Sequence, residues 1–184
     1  MATVAKKLIT AEEFARLPNP PDGSQQELVR GEIVILPPPG GRHGLCCSRI
    51  ERRLANFVDD SRRGTVTCND TGFISERDPD TVRGPDVAYW SKERLPEVPE
   101  GYITIAPDLA VEVVSPSDIF SRIQKKIREY LDRGVRLVWV VDPEGRTVTV
   151  YKPQRQATIL EENDTLSGEE VLPGFSCPVA ELFA

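Results

Sequence analysis

The sequence predicts a single domain of mixed α/β class (α+β mixed), a central mixed β-sheet flanked by helices, with additional N-terminal and C-terminal hairpins. Three observations predict it. Short apolar runs of strand length, rich in Val, Ile, Thr and Tyr, recur along the chain. Two longer stretches, 45–59 and 117–132, carry apolar residues at helical spacing instead. Two of the strand-like runs, 86–90 and 109–114, each hold a carboxylate among apolar neighbours. The resulting order, α-ββ-α-ββββ-α-βββ, interleaves helices with strands and calls for layers of helix on sheet. With 184 residues the chain is long enough for one real core. The domain is therefore taken as 1–184, with 1–9 flexible.

Taken in order, Thr10-Ala11-Glu12-Glu13 is a capping box and predicts a short helix over 11–16. Pro18, Pro20, Pro21 and Gly23 end it. Glu27-Leu28-Val29, a turn at Arg30-Gly31 and Ile33-Val34-Ile35-Leu36 then read as a hairpin, closed by the loop 37–41. Cys47, Ile50, Leu54, Phe57 and Val58 mark the first long helix, which Gly64 ends. Strands follow at 65–68 and 72–75, with a turn at Asp78-Pro79-Asp80. The two carboxylate-bearing strands flank 91–101, a charged and Pro-rich surface loop or short helix. Pro116 cannot continue a strand and Ser117 is a good N-cap, so the second long helix starts there and stops at Gly134. An apolar strand over 137–141, a hairpin turn at Asp142-Pro143-Glu144-Gly145 and a return strand over 147–151 come next. Pairing continues near 157–160, and the tail ends in short pieces around 171–172 and 180–183.

Composition narrows the function classes. Hydrophobic residues make up 39% and charged residues 28%, the balance of a soluble globular chain. No apolar run approaches the roughly 20 residues of a membrane span, and 1–7 lacks the apolar core of a secretory signal. A cytoplasmic location is the default. A net charge of -6 excludes coating nucleic acid by bulk charge. It does not exclude a nuclease, because a metal site consumes carboxylates and restores positive charge locally. The four cysteines, Cys46, Cys47, Cys68 and Cys177, match no zinc ribbon or redox pair and read as reduced, buried thiols.

The chemistry centres on Asp86 and Glu112. A buried, unpaired carboxylate costs several kcal/mol or neutralises itself. Two of them at one sheet suggest a shared partner, and a divalent cation is the simplest. A helical wheel places Ile119, Phe120, Ile123, Ile127, Tyr130 and Leu131 on one stripe roughly 120° wide. Lys126 sits on its margin and Lys125 on the far side, so only Lys126 can bury its stem and reach the sheet. Plainer roles stay open for each residue. Asp86 can cap a turn after Pro85, Glu112 can pair with Arg83 or Arg122, and Lys126 can snorkel. Glu27 can be an edge-strand acid, with Glu32 competing for any role it has. Asp108 reads as a turn residue, and Tyr130 and Trp139 as core aromatics. His43, Arg49, Arg52, Arg53, Arg62 and Arg63 can contact a nucleic-acid backbone or form a solvated helix face.

The ordered set Glu27-Leu28-Val29-Arg30-Gly31-Glu32, His43, Gly84-Pro85-Asp86-Val87, Val111-Glu112-Val113-Val114-Ser115-Pro116-Ser117, Lys126 with Tyr130 and Gly134-Val135, and Val138-Trp139-Val140-Val141-Asp142-Pro143 resembles the PD-(D/E)XK phosphodiesterase superfamily. Within it the chain is similar to a bacterial family of restriction endonuclease-like proteins. The resemblance runs from about residue 10 to 151. It implies a restriction endonuclease-like fold and a metal-dependent endonuclease that hydrolyses phosphodiester bonds of DNA; because cutting two strands takes two sites and two-fold pairing is the commonest assembly, a homodimer is expected. It implies Mg²⁺ or Mn²⁺ held by Asp86, Glu112 and the backbone carbonyl of Val113. Lys126 would orient the attacking water, and Glu27 would add a further acidic ligand. His43, Arg49 and Arg53 would contact the nucleic acid. One departure stands out. The superfamily element Glu-x-Lys has Val114 in the lysine position, so the lysine must come from the following helix, as Lys126 or by substitution as Gln124. The alternative is a nuclease-fold protein without activity that acts as a nucleic-acid-binding or regulatory module. Val114 and the acidic charge favour that alternative. A protein-interaction domain is a third reading.

Overall fold

The capping box closes as its residue types dictate: the Thr10 hydroxyl accepts from the Glu13 N–H, and the Glu13 carboxylate accepts from the Thr10 N–H. It opens the one-turn helix α1 (Ala11–Phe14) of the computed structural model, which describes residues 7–184. The flexible stretch expected over 1–9 lies, for residues 1–6, outside the described residues. Ile9 donates to the Gly31 carbonyl at 3.0 Å.

β1 (Gln25–Val29) and β2 (Glu32–Leu36) form the first hairpin. Arg30 and Gly31 turn it with φ of 52° and 76°, the positive φ pair that a two-residue hairpin turn requires. Helix α2 (Gly41–Ser61) begins earlier than the apolar spacing suggested. Its first turn, Gly41-Arg42-His43-Gly44, has no apolar residue to reveal it, and Gly40 supplies the extended N-cap. His43 therefore lies inside the helix rather than before it.

The chain continues through β3 (Gly64–Cys68), β4 (Phe73–Glu76), β5 (Thr81–Arg83), β6 (Val87–Ser91) and β7 (Leu109–Val113). Helix α3 (Phe120–Asp132) follows, then β8 (Leu137–Asp142), β9 (Thr147–Lys152), β10 (Gln156–Leu160), β11 (Thr165–Ser167) and β12 (Ser176–Pro178). Three-residue β5 was not foreseen, because its neighbours Asp78-Pro79-Asp80 and Gly84-Pro85 read as continuous loop. The pair β11 and β12 was not foreseen either; each is three residues long, and Leu172 is buried in the loop between them. Residues 92–101 form turns and bends, not a helix.

The start of α3 also differs. Ser117 does not cap it. Asp118 folds back instead: its carboxylate accepts from the Ser115 N–H at 2.8 Å and its N–H donates to the Ser115 carbonyl at 2.9 Å. The helix begins after Ile119, without a side-chain cap. The buried stripe consequently starts late. Ile119 and Phe120 are 51% and 75% exposed, while Ile127 and Tyr130 are buried.

The central sheet has the order β10-β9-β8-β7-β6-β3, antiparallel except for the parallel pair β7–β8 that α3 connects. A second sheet, β2-β1-β5-β4, carries the N-terminal hairpin. Alternation sorts the central strands between two cores. Leu109, Val111 and Val113 of β7 pack with Cys46, Ile50, Leu54 and Val58 of α2. Ala110 packs on the opposite face with Ile127 and Tyr130 of α3. Glu112, next in that alternation, is thereby aimed at α3. Among the described residues no helix is long and apolar enough to cross a membrane.

Leu54 is wholly buried between α2 and the sheet. Leu54→Ala is expected to lower the unfolding free energy by about 2–5 kcal/mol, read from the midpoint of urea denaturation.

Candidate active site

Six elements deliver charged side chains to one cleft of about 380 Å³. Glu27 comes from β1 and His43 from the first turn of α2. Asp70 comes from the β3–β4 turn, Asp86 from the residue before β6, Glu112 from β7 and Lys126 from α3. Each is positioned by backbone that has its own reason to be there. Pro85 and Gly84 end the β5 segment and place Asp86 where its Oδ2 accepts from the Val113 N–H at 2.6 Å. That bond joins the two carboxylate segments directly. In a strand the N–H and C=O of one residue point to the same side, so the carbonyl of Val113 leaves the ladder on the side of Asp86.

The Lys126 ammonium lies 2.8 Å from Glu112 Oε2 and 3.0 Å from Glu27 Oε1. The Tyr130 hydroxyl donates to Glu112 Oε1 at 2.6 Å, so one turn of α3 holds both oxygens of the strand carboxylate. Glu27 in turn accepts from Arg83 at 2.7 Å, and Arg83 also pairs with Glu129 of α3. Glu27 is 6% exposed, and β1 lies between β2 and β5, so it is not an edge-strand acid. Glu32 is exposed at the start of β2. Arg83 belongs to Glu27 and Glu129, and Glu112 belongs to Lys126 and Tyr130; the Arg83–Glu112 pairing weighed from the sequence is absent.

Four carboxylates, Glu27, Asp70, Asp86 and Glu112, share this cleft, and burial sets their electrostatics. Burial drives the Glu112 carboxyl up to about 7; the Lys126 ammonium opposes this, and the charges of Asp86 and Glu27 add to it. Burial and the neighbouring Asp86 likewise raise Asp70, to about 6. Burial alone would raise Glu27 too, but Lys126 and Arg83 outweigh it and hold Glu27 below its usual range. Burial disfavours the charge on Lys126, and the Glu112 and Glu27 carboxylates overcome it, so its ammonium is held charged. His43 follows the same logic. Burial opposes its protonation, but the 3.2 Å contact of Nε2 with Asp86 Oδ1 wins and its imidazole rises.

A family model described as Uma2, "Putative restriction endonuclease", matches residues 11–180. The chain belongs to the Uma2 family. Among solved structures it is similar to a protein described as a putative nuclease belonging to DUF820 from Anabaena variabilis. The two share 26% identity and a TM-score of 0.80, over 95% of this chain and 97% of that one. Among curated proteins none matches.

In this Uma2 chain the arginines on and after α2 lie elsewhere than the cleft. Arg53 pairs with Glu181, and Arg63 donates to the Pro173 carbonyl at 2.7 Å and stacks over Phe57. Arg49 is half-buried, with one terminal nitrogen lacking a partner among the described residues. The cations that line the cleft are instead Arg83, Arg122, Lys125 and Lys126. Sequence reasoning missed Asp70, because an Asn69-Asp70 pair reads as ordinary turn chemistry. Gln25 holds its carboxylate, and its backbone sits at φ 57°. It also missed the hydroxyl of Tyr130, whose ring is a core aromatic as expected.

Because the folded Glu112 binds its proton more tightly than an unfolded Glu, its ionisation lowers stability as pH rises from about 4.5 to about 7. Glu112→Gln removes that penalty. In chelator-treated protein its melting temperature is expected to exceed the wild type above pH 7, by the equivalent of on the order of 1–3 kcal/mol. The difference should shrink as pH falls toward 4.5, as calorimetry across that range would show.

Proposed function

We propose that this protein is a metal-dependent endonuclease that hydrolyses phosphodiester bonds of DNA. The observation that carries the reading is the Lys126 ammonium bridging Glu112 and Glu27 beside Asp86, in one cleft. Membership of a family described as putative restriction endonucleases supports the same chemistry.

The residues present fit a hard divalent cation. Asp86, Glu112 and the Val113 carbonyl are oxygen donors of the kind Mg²⁺ and Mn²⁺ take. Each carboxylate oxygen retains a second lone pair beside its present hydrogen bond, and burial, followed by the charges of Asp86 and Glu27, raises Glu112, a shift that a bound cation would oppose. When bound, the cation supplies a Lewis acid for the scissile phosphate and its attacking water. Lys126 orients that water and balances charge as the phosphorus centre gains its fifth ligand. Glu27 keeps the ammonium turned toward the strand, and Arg83 keeps Glu27 in place. The Tyr130 hydroxyl fixes the plane of the Glu112 carboxylate. Arg122 and Lys125, exposed at the cleft mouth on α3, supply the positive charge that a phosphate backbone needs. Cutting both strands of a duplex takes two such sites, and a two-fold homodimer supplies them most simply.

Purified protein with Mg²⁺ or Mn²⁺ is expected to nick and linearise supercoiled plasmid. Asp86→Ala, Glu112→Ala and Lys126→Ala should each reduce the rate by about 10²-fold or more. Undiminished cleavage by Asp86→Ala or Glu112→Ala rejects the site, and DNA binding without turnover under either cation selects the inactive-module reading.

A further inference from the structure

Two residues of α2 beside Asp86 have no part in the chemistry above. His43 and Cys47 are four residues apart on α2, so both side chains stand on one face of the helix. Cys47 Sγ lies 3.4 Å from His43 Nδ1, and His43 Nε2 lies 3.2 Å from Asp86 Oδ1. One ring nitrogen, the thiol sulfur and a carboxylate oxygen of these three residues all fall within 4.8 Å of one another. The His43 side chain is 11% exposed and Cys47 is half-buried, so the donors are largely screened from water while the cleft gives access.

We propose that His43, Cys47 and Asp86 form a second cation site, selective for a borderline-soft divalent ion such as Zn²⁺, and that its occupancy suppresses the Mg²⁺-supported reaction. The donor set decides the selectivity. A thiolate and an imidazole suit Zn²⁺ and not Mg²⁺, and three protein donors leave an open fourth position. With a single ring nitrogen of His43 as the ligand, the three donor atoms lie within 4.8 Å of one another, so small side-chain rotations bring them onto one tetrahedral ion with bonds of roughly 2.0–2.3 Å. A helix offering two ligands at i and i+4 is a recurrent zinc arrangement. Binding displaces the thiol proton to solvent, leaving a thiolate–metal bond. The regulatory half rests on the proposed nuclease reading. Asp86 is the shared residue: its Oδ2 faces Val113 and the nuclease site, and its Oδ1 faces His43. An ion held on the His43 side takes that carboxylate's charge away from the Mg²⁺ position.

The test begins with Co²⁺ as a spectroscopic substitute for Zn²⁺, on the full chain. One equivalent should produce the near-ultraviolet thiolate-to-cobalt charge-transfer band, and added Zn²⁺ should abolish it. Cys47→Ser and His43→Asn should lose the band and weaken Zn²⁺ binding in chelator competition by at least about tenfold. Cys68→Ser should keep both. Circular dichroism of each variant, and Zn²⁺ binding to the near-isosteric Cys47→Ser, separate loss of the site from loss of the fold. Absence of the band in wild type, or its persistence in folded Cys47→Ser, overturns the site whether or not the protein cuts DNA. If the protein does cut, micromolar Zn²⁺ should inhibit Mg²⁺-supported cleavage, and a higher Zn²⁺ concentration should be needed in Cys47→Ser relative to its own zinc-free rate. Stimulation by Zn²⁺, or equal inhibition of both proteins, overturns the regulatory half while leaving the nuclease reading to its own variants.

Discussion

The ammonium of Lys126 is the point on which the two sheets and the crossover helix converge. It joins α3 to β7 through Glu112 and to the N-terminal hairpin through Glu27. Arg83 extends the same network to β5 and back to Glu129 of α3. Charges this deep are tolerable only when each has a partner. The second sheet therefore meets the central one through these ion pairs as well as through Phe73 of β4, which packs with Ala88, Trp90 and Tyr130. The cleft lies at that seam, so the interaction that joins the sheets also shapes the site.

A functional reason for such a seam lies in the surplus of carboxylates. A purely structural network would balance its charges. Here the buried or half-buried carboxylates Glu27, Asp70, Asp86 and Glu112 face Lys126, an arginine already shared with Glu129, and His43, while Arg122 and Lys125 stand exposed at the cleft mouth. Burial raises the energy of that excess, visible in the upward shifts of Glu112 and Asp70. Ionising Glu112 in this buried setting costs the folded chain some stability. Stability given up for a prepared site is the usual trade at functional centres.

Much of this was legible in the residues. Alternation and helical spacing found the hairpin, the central strands and both long helices, because each buries one face. The same patterning singled out Glu112 as a carboxylate in an apolar strand and Lys126 as the lysine on the buried margin of its helix. What was not legible had little or no apolar signal to give. The first turn of α2, the three-residue β5 and the reciprocal bonds between Ser115 and Asp118 depend on backbone geometry and partners distant in sequence. Asp70 and Cys47 are ordinary in their local context, and only the fold carries them to the cleft. Among the basic residues on and after α2, Arg53 and Arg63 are engaged with the C-terminal segment, a contact no local pattern announces.

Val114 stands where the superfamily element puts its lysine, and packs against the α3-side core. Moving the cation to a helix separates it from the register of β7. In a Glu-x-Lys strand both charges travel together when the strand slips by a residue, and each turns to the other face of the sheet. Here a slip would carry Glu112 into the apolar layer against α2 and leave Lys126 behind, facing Glu27 alone. Each charge is thus a check on the placement of the other. A misaligned β7 would bury Glu112 away from its ammonium and hydroxyl partners, at a cost in free energy.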